Sequence, residues 1–374
     1  MNGWHDRLNQ ARSWLQDKRL DALVAFSNGQ NSFLESNAVY VLTNYRAIGE
    51  SAAIVTHEGE IILIVTPSWD GERARCMSKA NEVVASDDLA EAVCTWLKNN
   101  SLAAGSKMAA SSLQKQRAVL TTRFTGFIGH EPVDADLLVP YLARIRDAEE
   151  IASARRATSI AELGYERLKS SVRPGMREYE LAADIYCYMK ELGAEDNFLL
   201  MSASQHHLAV RAAGERTLEE GDVILAEITP CFSGQFVQLC RTVTLGKPSD
   251  TLREKYSLLQ RAMLRGMEAA TPGTKVSEAV EAMNECFRDA GYGDFCQPPY
   301  MRVRGHGLGI TSNLPGDLHI GNDTAFEEGM MFVMHPNQYV PETGYLMCGE
   351  TVVISHNGAI SLSERDSVLD EIEL

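Results

Sequence analysis

The sequence contains no uninterrupted apolar run approaching 18 residues, so no stretch is long enough to cross a bilayer as a helix. Its opening, MNGWHDRLNQARSW, lacks the apolar core of a signal peptide. Positive charge is also scarce: 35 Lys and Arg stand against 51 Asp and Glu, giving a net charge of -16. Nucleic acid and anionic membranes both need a positive face, so neither is expected as the main partner. The eight cysteines form no CxxC pair and no regular framework, and a chain of 374 residues needs no covalent staples. They are expected to be reduced thiols in a cytoplasmic protein.

What is present is enough apolar residue, 45%, to build a sizeable core and two domains. Leu8, Ala11, Trp14 and Leu15 mark one face of a helix, and LDALVAF at 20–26 reads as a buried strand. Ala52 to Thr56 and Ile61 to Thr66 flank a turn at His57-Glu58-Gly59-Glu60, a hairpin pattern. Residues 1–143 are therefore expected to form a small α/β domain with a mixed sheet. Within it NAVYVLTNYRAIGE, residues 37–50, has poor periodicity and reads as a surface loop anchored by aromatic residues.

From residue 144 the pattern changes. Ile151, Ala154, Ala157, Ile160, Ala161, Tyr165 and Leu168 keep a helical rhythm that Pro174-Gly175 breaks, and a second helix follows to about residue 192. The same order returns with a helix ending at Pro272-Gly273 and another from Lys275 to Ala290. Each half then turns through Glu-Gly into an apolar strand. Glu227 lies seven residues after Glu220, and His335 lies seven after Glu328. The two polar residues thus hold matching positions in duplicated halves, where a cleft is expected.

Burying Glu227 alone is costly, so it needs a partner. Beyond the turn at Ser233-Gly234, alternation puts Phe236, Gln238, Cys240 and Thr242 on one strand face, where Gln238 and Cys240 meet Glu227. His306 sits among glycines in the segment Arg304 to Gly309, and Glu350 interrupts another apolar strand. Glu227, His306, His335 and Glu350 are the titratable groups of one candidate cleft.

The order helix, Pro-Gly, helix, paired strands, GHGLG and a terminal Gly-Glu strand resembles the pita-bread superfamily of methionine aminopeptidase, aminopeptidase P, prolidase and creatinase. The resemblance covers residues 145–365 and includes LARIRDAEEIASARRA at the helix entrance. It implies an α/β (α+β) architecture: a small N-terminal creatinase-like domain, residues 1–143, and a pita-bread catalytic domain, residues 144–374, with pseudo-twofold halves. The metallopeptidases of that superfamily hold two ions on two Asp, one His and two Glu. Those positions correspond here to Glu227, Gln238, His306, His335 and Glu350, and a further substrate-facing histidine corresponds to Asn313.

A pair of dications needs several anionic oxygens, and Gln238 and His335 are neutral, so a dinuclear centre is not expected. By resemblance to creatinase and ectoine hydrolase, the leading expectation is a metal-independent, cofactor-free hydrolase of a C–N bond in a small polar or zwitterionic substrate. His206 or His207 would be its general acid-base, with Glu227 or Glu350 orienting water. His306 and His335 would bind the substrate, and Arg304, Arg302 or Arg211 its carboxylate. Cys240, which precedes the Arg-Thr pair, is read as a buried thiol rather than a nucleophile. The alternatives are an Xaa-Pro peptidase-like hydrolase with one zinc or iron on Glu227, His306, His335 and Glu350, a lyase, and a non-catalytic binding module. The resemblance also implies a homodimer whose N-terminal domain borders the partner's site, with Tyr45 and Arg46 reaching across.

Overall fold

The computed structural model describes residues 3–30, 33–102, 105–312 and 314–374 and divides into two compact units, Met1–Asp147 and Ala148–Leu374. The first unit opens with α1 (Gly3–Lys18), whose Leu8, Ala11 and Leu15 are buried, and β1 (Ala22–Ser27). A short helix α2 (Ala38–Thr43) precedes the hairpin of β2 (Ser51–Thr56) and β3 (Ile61–Val65), which turns at Gly59 with φ +98. Then come α3 (Gly71–Met77), β4 (Glu82–Ala85), α4 (Leu89–Asn99), β5 (Met108–Ser111), α5 (Ala118–Ile128), β6 (Val133–Asp134) and α6 (Leu138–Leu142). The strands form one mixed sheet in the order β4-β3-β2-β1-β5-β6, antiparallel within β1-β2-β3 and parallel at its flanks. Ile145 belongs to this unit, its carbonyl accepting from Arg7 Nη2 at 2.9 Å.

The segment 37–50 differs from the surface loop read from sequence. Asn37 caps α2, its side chain accepting from the Tyr40 N–H at 3.0 Å, and Asn44 ends it with φ 55, a left-handed stop that asparagine tolerates. Six residues are too few to show helical periodicity. Tyr45 is buried: its hydroxyl donates to Asp70 Oδ1 at 2.8 Å, and the Arg73 guanidinium lies 4.7 Å from its ring centroid. Burial pushes the Asp70 carboxyl up. Hydrogen bonds from Arg73, the Ile48 N–H and Tyr45 outweigh this and hold it below the usual range. Tyr45 is thus a core group of the first unit, while the Arg46 guanidinium packs 5.0 Å from the Tyr40 ring centroid.

The second unit repeats one plan. In its first half α7 (Ala148–Ser171) and α8 (Glu178–Glu191) precede β7 (Asp196–Ser204), β8 (Val223–Phe232), the two-residue β9 (Gln235–Phe236) and β10 (Leu239–Leu245). In the second, α9 (Asp250–Ala269) and α10 (Val276–Asp289) precede β11 (Gly305–Gly307), β12 (Met331–Met334), a small hairpin of β13 (Gln338–Val340) and β14 (Gly344–Leu346), β15 (Glu350–Ser355) and β16 (Gly358–Ser361). A last strand, β17 (Asp370–Ile372), completes the sheet β17-β10-β8-β7, and β11-β12-β15-β16 is its counterpart.

The duplication extends to backbone detail. Gly175 and Gly273 turn with φ 88 and 91, and Gly221 and Gly329 with φ 87 and 88, values that glycine adopts without a Cβ penalty. Arg177 bridges Thr217 in one half, and Lys275 bridges Ala325 in the other. Among the described residues no helix is long and apolar enough to cross a membrane. All eight cysteines are free thiols.

The Tyr45 contact yields a test. Tyr45→Phe removes one of two donors to Asp70 Oδ1, leaving Arg73 Nε, and should lower the unfolding free energy by about 1 kcal/mol in urea denaturation. Unchanged stability would show that the contact contributes nothing.

Candidate functional site

Alternation along β8 and β10 decides which side chains share a face. Glu227 pairs directly with Cys240 and, on its other side, with Leu200. One step beyond the Leu239–Ile228 pair, Gln238 comes beside Thr229. Glu227, Thr229, Gln238 and Cys240 therefore share one face. Arg241 occupies the other, its guanidinium 5.7 Å from the ring centroid of Tyr165 on α7. Burial pushes the Glu227 carboxyl up to about 7, with no cationic neighbour to bring it back.

The second half contributes two imidazoles. His306 on β11 pairs with Val333 on β12, and His335 follows β12 directly. Their rings stand 5.4 Å apart, edge to face at 68°. His306 Nδ1–H donates to the Gly307 carbonyl at 3.0 Å, which makes Nε2 the unprotonated nitrogen of a neutral ring. Burial, and then the neighbouring His306, hold His335 down to about 3, and its Nδ1 is buried without a hydrogen-bond partner.

The halves join through backbone. Cys240 and Gly349 exchange two N–H···O bonds of 3.1 Å, so β10 and the entry of β15 continue one surface. A Cβ at Gly349 would stand 2.5 Å from His335 Cβ and 3.1 Å from Cys240 Cβ. Glu227, Cys240, Gly349, His335 and His306 thus follow one another across the junction.

Glu350 does not join them. It follows Gly349 on the strand and faces the opposite way, where its Oε1 accepts from Arg241 Nη2 at 2.7 Å in a pair whose side chains are 4% and 2% exposed. The cleft position on this strand is Gly349, which offers no donor, so the sequence assignment of Glu350 to the cleft is corrected by one residue. Arg241 was missed; its signal was a single guanidinium in an otherwise apolar strand.

The other candidates have different surroundings. Arg304 is fully buried and already donates to Asn284 Oδ1 at 2.8 Å, the Asn337 carbonyl at 3.1 Å and Gln338 Oε1 at 2.9 Å, so it has no fork left for a substrate carboxylate. Arg302 and Arg211 are exposed. His207 is buried and donates from Nε2 to the Val223 carbonyl at 2.7 Å, whereas His206 is exposed, 3.0 Å from the Pro341 carbonyl and 5.9 Å from the Tyr339 ring. Burial, reinforced by Glu227, pushes the Cys240 thiol well above its ordinary value, which opposes a thiolate role. Asn313 lies outside the described residues. Thr229 and Tyr345 were also missed. Tyr345 lies close enough to Glu227 and Cys240 for both to add to the upward push that burial gives its hydroxyl.

The model of metallopeptidase family M24 matches residues 152–356. An Xaa-Pro dipeptidase of Pyrococcus furiosus is 29% identical over 237 residues, covering 63% of this chain and 67% of that protein. A putative dipeptidase of Bacillus subtilis, YkvY, is 24% identical over 96% of this chain and 98% of its own. The crystal structure of an X-Pro aminopeptidase from Thermotoga maritima superposes with a TM-score of 0.84 at 21% identity, covering 98% and 99% of the two chains. The pita-bread architecture is therefore established. A metallopeptidase family with dipeptidase relatives overturns the expectation of a metal-independent hydrolase of a non-peptide C–N bond, together with the expectation of no cofactor.

The donors at hand decide how such an ion would fit. Gln238 is neutral, His335 is neutral and Gly349 has no side chain, so the anionic oxygens that two dications need are missing. One carboxylate, Glu227, and two imidazoles, His306 and His335, suit a single zinc- or iron-like ion. The buried, unpartnered acceptors His335 Nδ1 and Gln238 Oε1 fit the same reading. Among the described residues no three His, Cys, Asp or Glu side chains are already gathered as a metal-holding group. Binding would have to draw the donors together.

Two measurements check these assignments. Glu350→Gln should lower the unfolding free energy by about 3 kcal/mol, because it leaves Arg241 buried and uncompensated. It should leave zinc binding by calorimetry unchanged; lost binding would restore Glu350 as a ligand. Burial holds the His207 pKa below its ordinary value. The unfolded chain therefore takes up that proton first as pH falls, and stability declines toward acid below about pH 6.5. Denaturation midpoints across pH 5–8 should show a shallower decline for His207→Gln, and an unchanged slope would exclude this source.

Proposed function

This chain belongs to metallopeptidase family M24, and from that premise we propose that it hydrolyses the peptide bond of short Xaa-Pro peptides with a single divalent ion. The observation that carries the reading is the pair of imidazoles 5.4 Å apart, His335 buried and His306 half-buried, joined through Gly349 and Cys240 to the strand that bears Glu227. The names of the relatives supply the substrate class.

His306, His335 and Glu227 would hold the ion. When bound, it would polarise the scissile carbonyl and make water a competent nucleophile near neutral pH. His306 enters as a fixed tautomer because Nδ1–H is committed to Gly307. Tyr345, whose hydroxyl burial keeps protonated, lies near Glu227 and is placed to donate to developing negative charge. Gly349, with no Cβ, lets His335 and Cys240 pack directly against the backbone at the junction of the two halves.

We read the chain further as a homodimer in a reducing, cytoplasmic compartment. Ile48 and Trp69, 51% and 68% exposed on the first unit, are apolar side chains that a contact between copies would cover. Eight free thiols suit such a compartment.

The test is metal analysis joined to turnover. Protein loaded with zinc, iron or manganese and then desalted should retain about one ion per chain. His306→Ala and His335→Ala should each remove it, and hydrolysis of alanyl-proline should stop on chelation. A chain that retains no ion under any loading, or two ions, would defeat the single-ion reading.

A further inference from the structure

The duplicated halves differ where their paired helices meet. In the first half the ring of Tyr188 on α8 is half-buried, with the Arg167 guanidinium of α7 lying 5.6 Å from its centroid. Asp184 fixes that arginine, accepting from its Nε and Nη2 at 2.8 Å. Counting from the paired turns at Gly175 and Gly273, Arg167 corresponds to Arg265 on α9, Tyr188 to Cys286 on α10 and Asp184 to Ala282. The second half thus keeps the arginine and lacks both the ring beneath it and the acid that holds it. An open groove of about 520 Å³ stands there, with Leu258, Leu264 and Ala290 as its apolar lining and Cys286 in the place of the ring.

The groove also carries charge of both signs. Arg265 bonds Glu268 at 3.1 Å along the edge of its guanidinium, which leaves the flat face open. Arg261, one turn earlier on the same side of α9, is exposed and among the described residues has no hydrogen bond or salt bridge. Asp289 is equally unpaired and ends α10, where the last carbonyls of the helix disfavour a carboxylate and favour a cation beside it. These groups surround the Cys286 thiol: burial pushes it up, Arg265 and then Arg261 oppose the push, and Asp289 adds to it.

We propose that the groove between α9 and α10 binds a free aromatic amino acid. The ring lies on the apolar lining under Arg265, as Tyr188 lies under Arg167. The carboxylate meets Arg261, and the ammonium meets Asp289. A guanidinium face is attracted to an aromatic ring and gains nothing comparable from an aliphatic side chain. A simple anion would face Glu268 and Asp289 together with the arginines, whereas a zwitterion supplies one charge for each unpaired group. The groove shares no residue with the cleft, so the inference stands apart from the peptidase reading.

The experiment is calorimetry on the metal-loaded full chain with three probes: L-phenylalanine, phenylacetate, which lacks the ammonium, and L-leucine, which lacks the ring. Phenylalanine should bind about tenfold more tightly than either of the others, equivalent to ~1.4 kcal/mol. Arg261→Gln and Asp289→Asn should each weaken phenylalanine by a similar factor. Cys286→Tyr places in the groove the ring that the first half has there and should abolish binding. The Ala282→Asp, Cys286→Tyr double variant rebuilds the whole first-half arrangement and serves if the single variant folds poorly. Bound phenylalanine should also slow the modification of Cys286 by iodoacetamide several-fold, read by peptide mass.

No phenylalanine binding would overturn the proposal. Binding that all four variants retain, with Cys286 unshielded, would overturn it too by placing the amino acid elsewhere, and so would equal affinity for phenylacetate or leucine. Binding that shields Cys286 and is lost in the tyrosine variants would uphold the site, even in a chain that leaves alanyl-proline intact.

Discussion

The cleft depends on the backbone exchange between Cys240 and Gly349. Two hydrogen bonds of 3.1 Å join the sheet of β7, β8, β10 and β17 to the sheet of β11, β12, β15 and β16, one from each duplicated half. Neither sheet alone holds Glu227 together with the imidazoles. The junction can form because residue 349 has no Cβ; any side chain there would meet His335 and Cys240 at close range. The Gln238–Thr351 hydrogen bonds extend the same junction by a further pair.

The two faces of the joined strands then divide the chemistry. Toward α7, Arg241 and Glu350 neutralise each other, and Arg241 packs against Tyr165. Toward the cleft, a carboxylate, two neutral imidazoles, an amide and a hydroxyl are left with few partners inside the protein. A buried charge that is paired serves the fold, whereas the buried His335 Nδ1, Gln238 Oε1 and Thr229 Oγ1, which have no hydrogen-bond partner, are open to a ligand. Strand alternation sorts neighbours of one sequence stretch into these two roles.

Much of this was legible in the sequence. The recurrence of helix, Pro-Gly, helix, Glu-Gly and apolar strand revealed the duplication, and the structure repeats it down to the φ values of Gly221 and Gly329. The matching of Glu227 with His335 followed from that. Glu350 was misplaced because a one-residue step along a strand reverses the side chain, and its neighbour Gly349 has nothing to mark which position faces inward. Arg304 invited a ligand role because its buried partners Asn284 and Gln338 lie far from it in sequence. The expectation of a metal-independent enzyme went too far because missing acids argue against two ions at most; they leave open one ion on the remaining nitrogen and oxygen donors.

The absent side chain at Gly349 also constrains how this protein can change. With a Cβ there only 2.5 Å from His335 Cβ, a carboxylate cannot be placed at 349 while histidine and its backbone keep their present place at 335. The two positions are tied to each other, and a side chain at 349 would require 335 to move as well. A substitution at Gly349 alone therefore leads to a poorly packed junction, whereas one at His335 alone still faces a position without a Cβ.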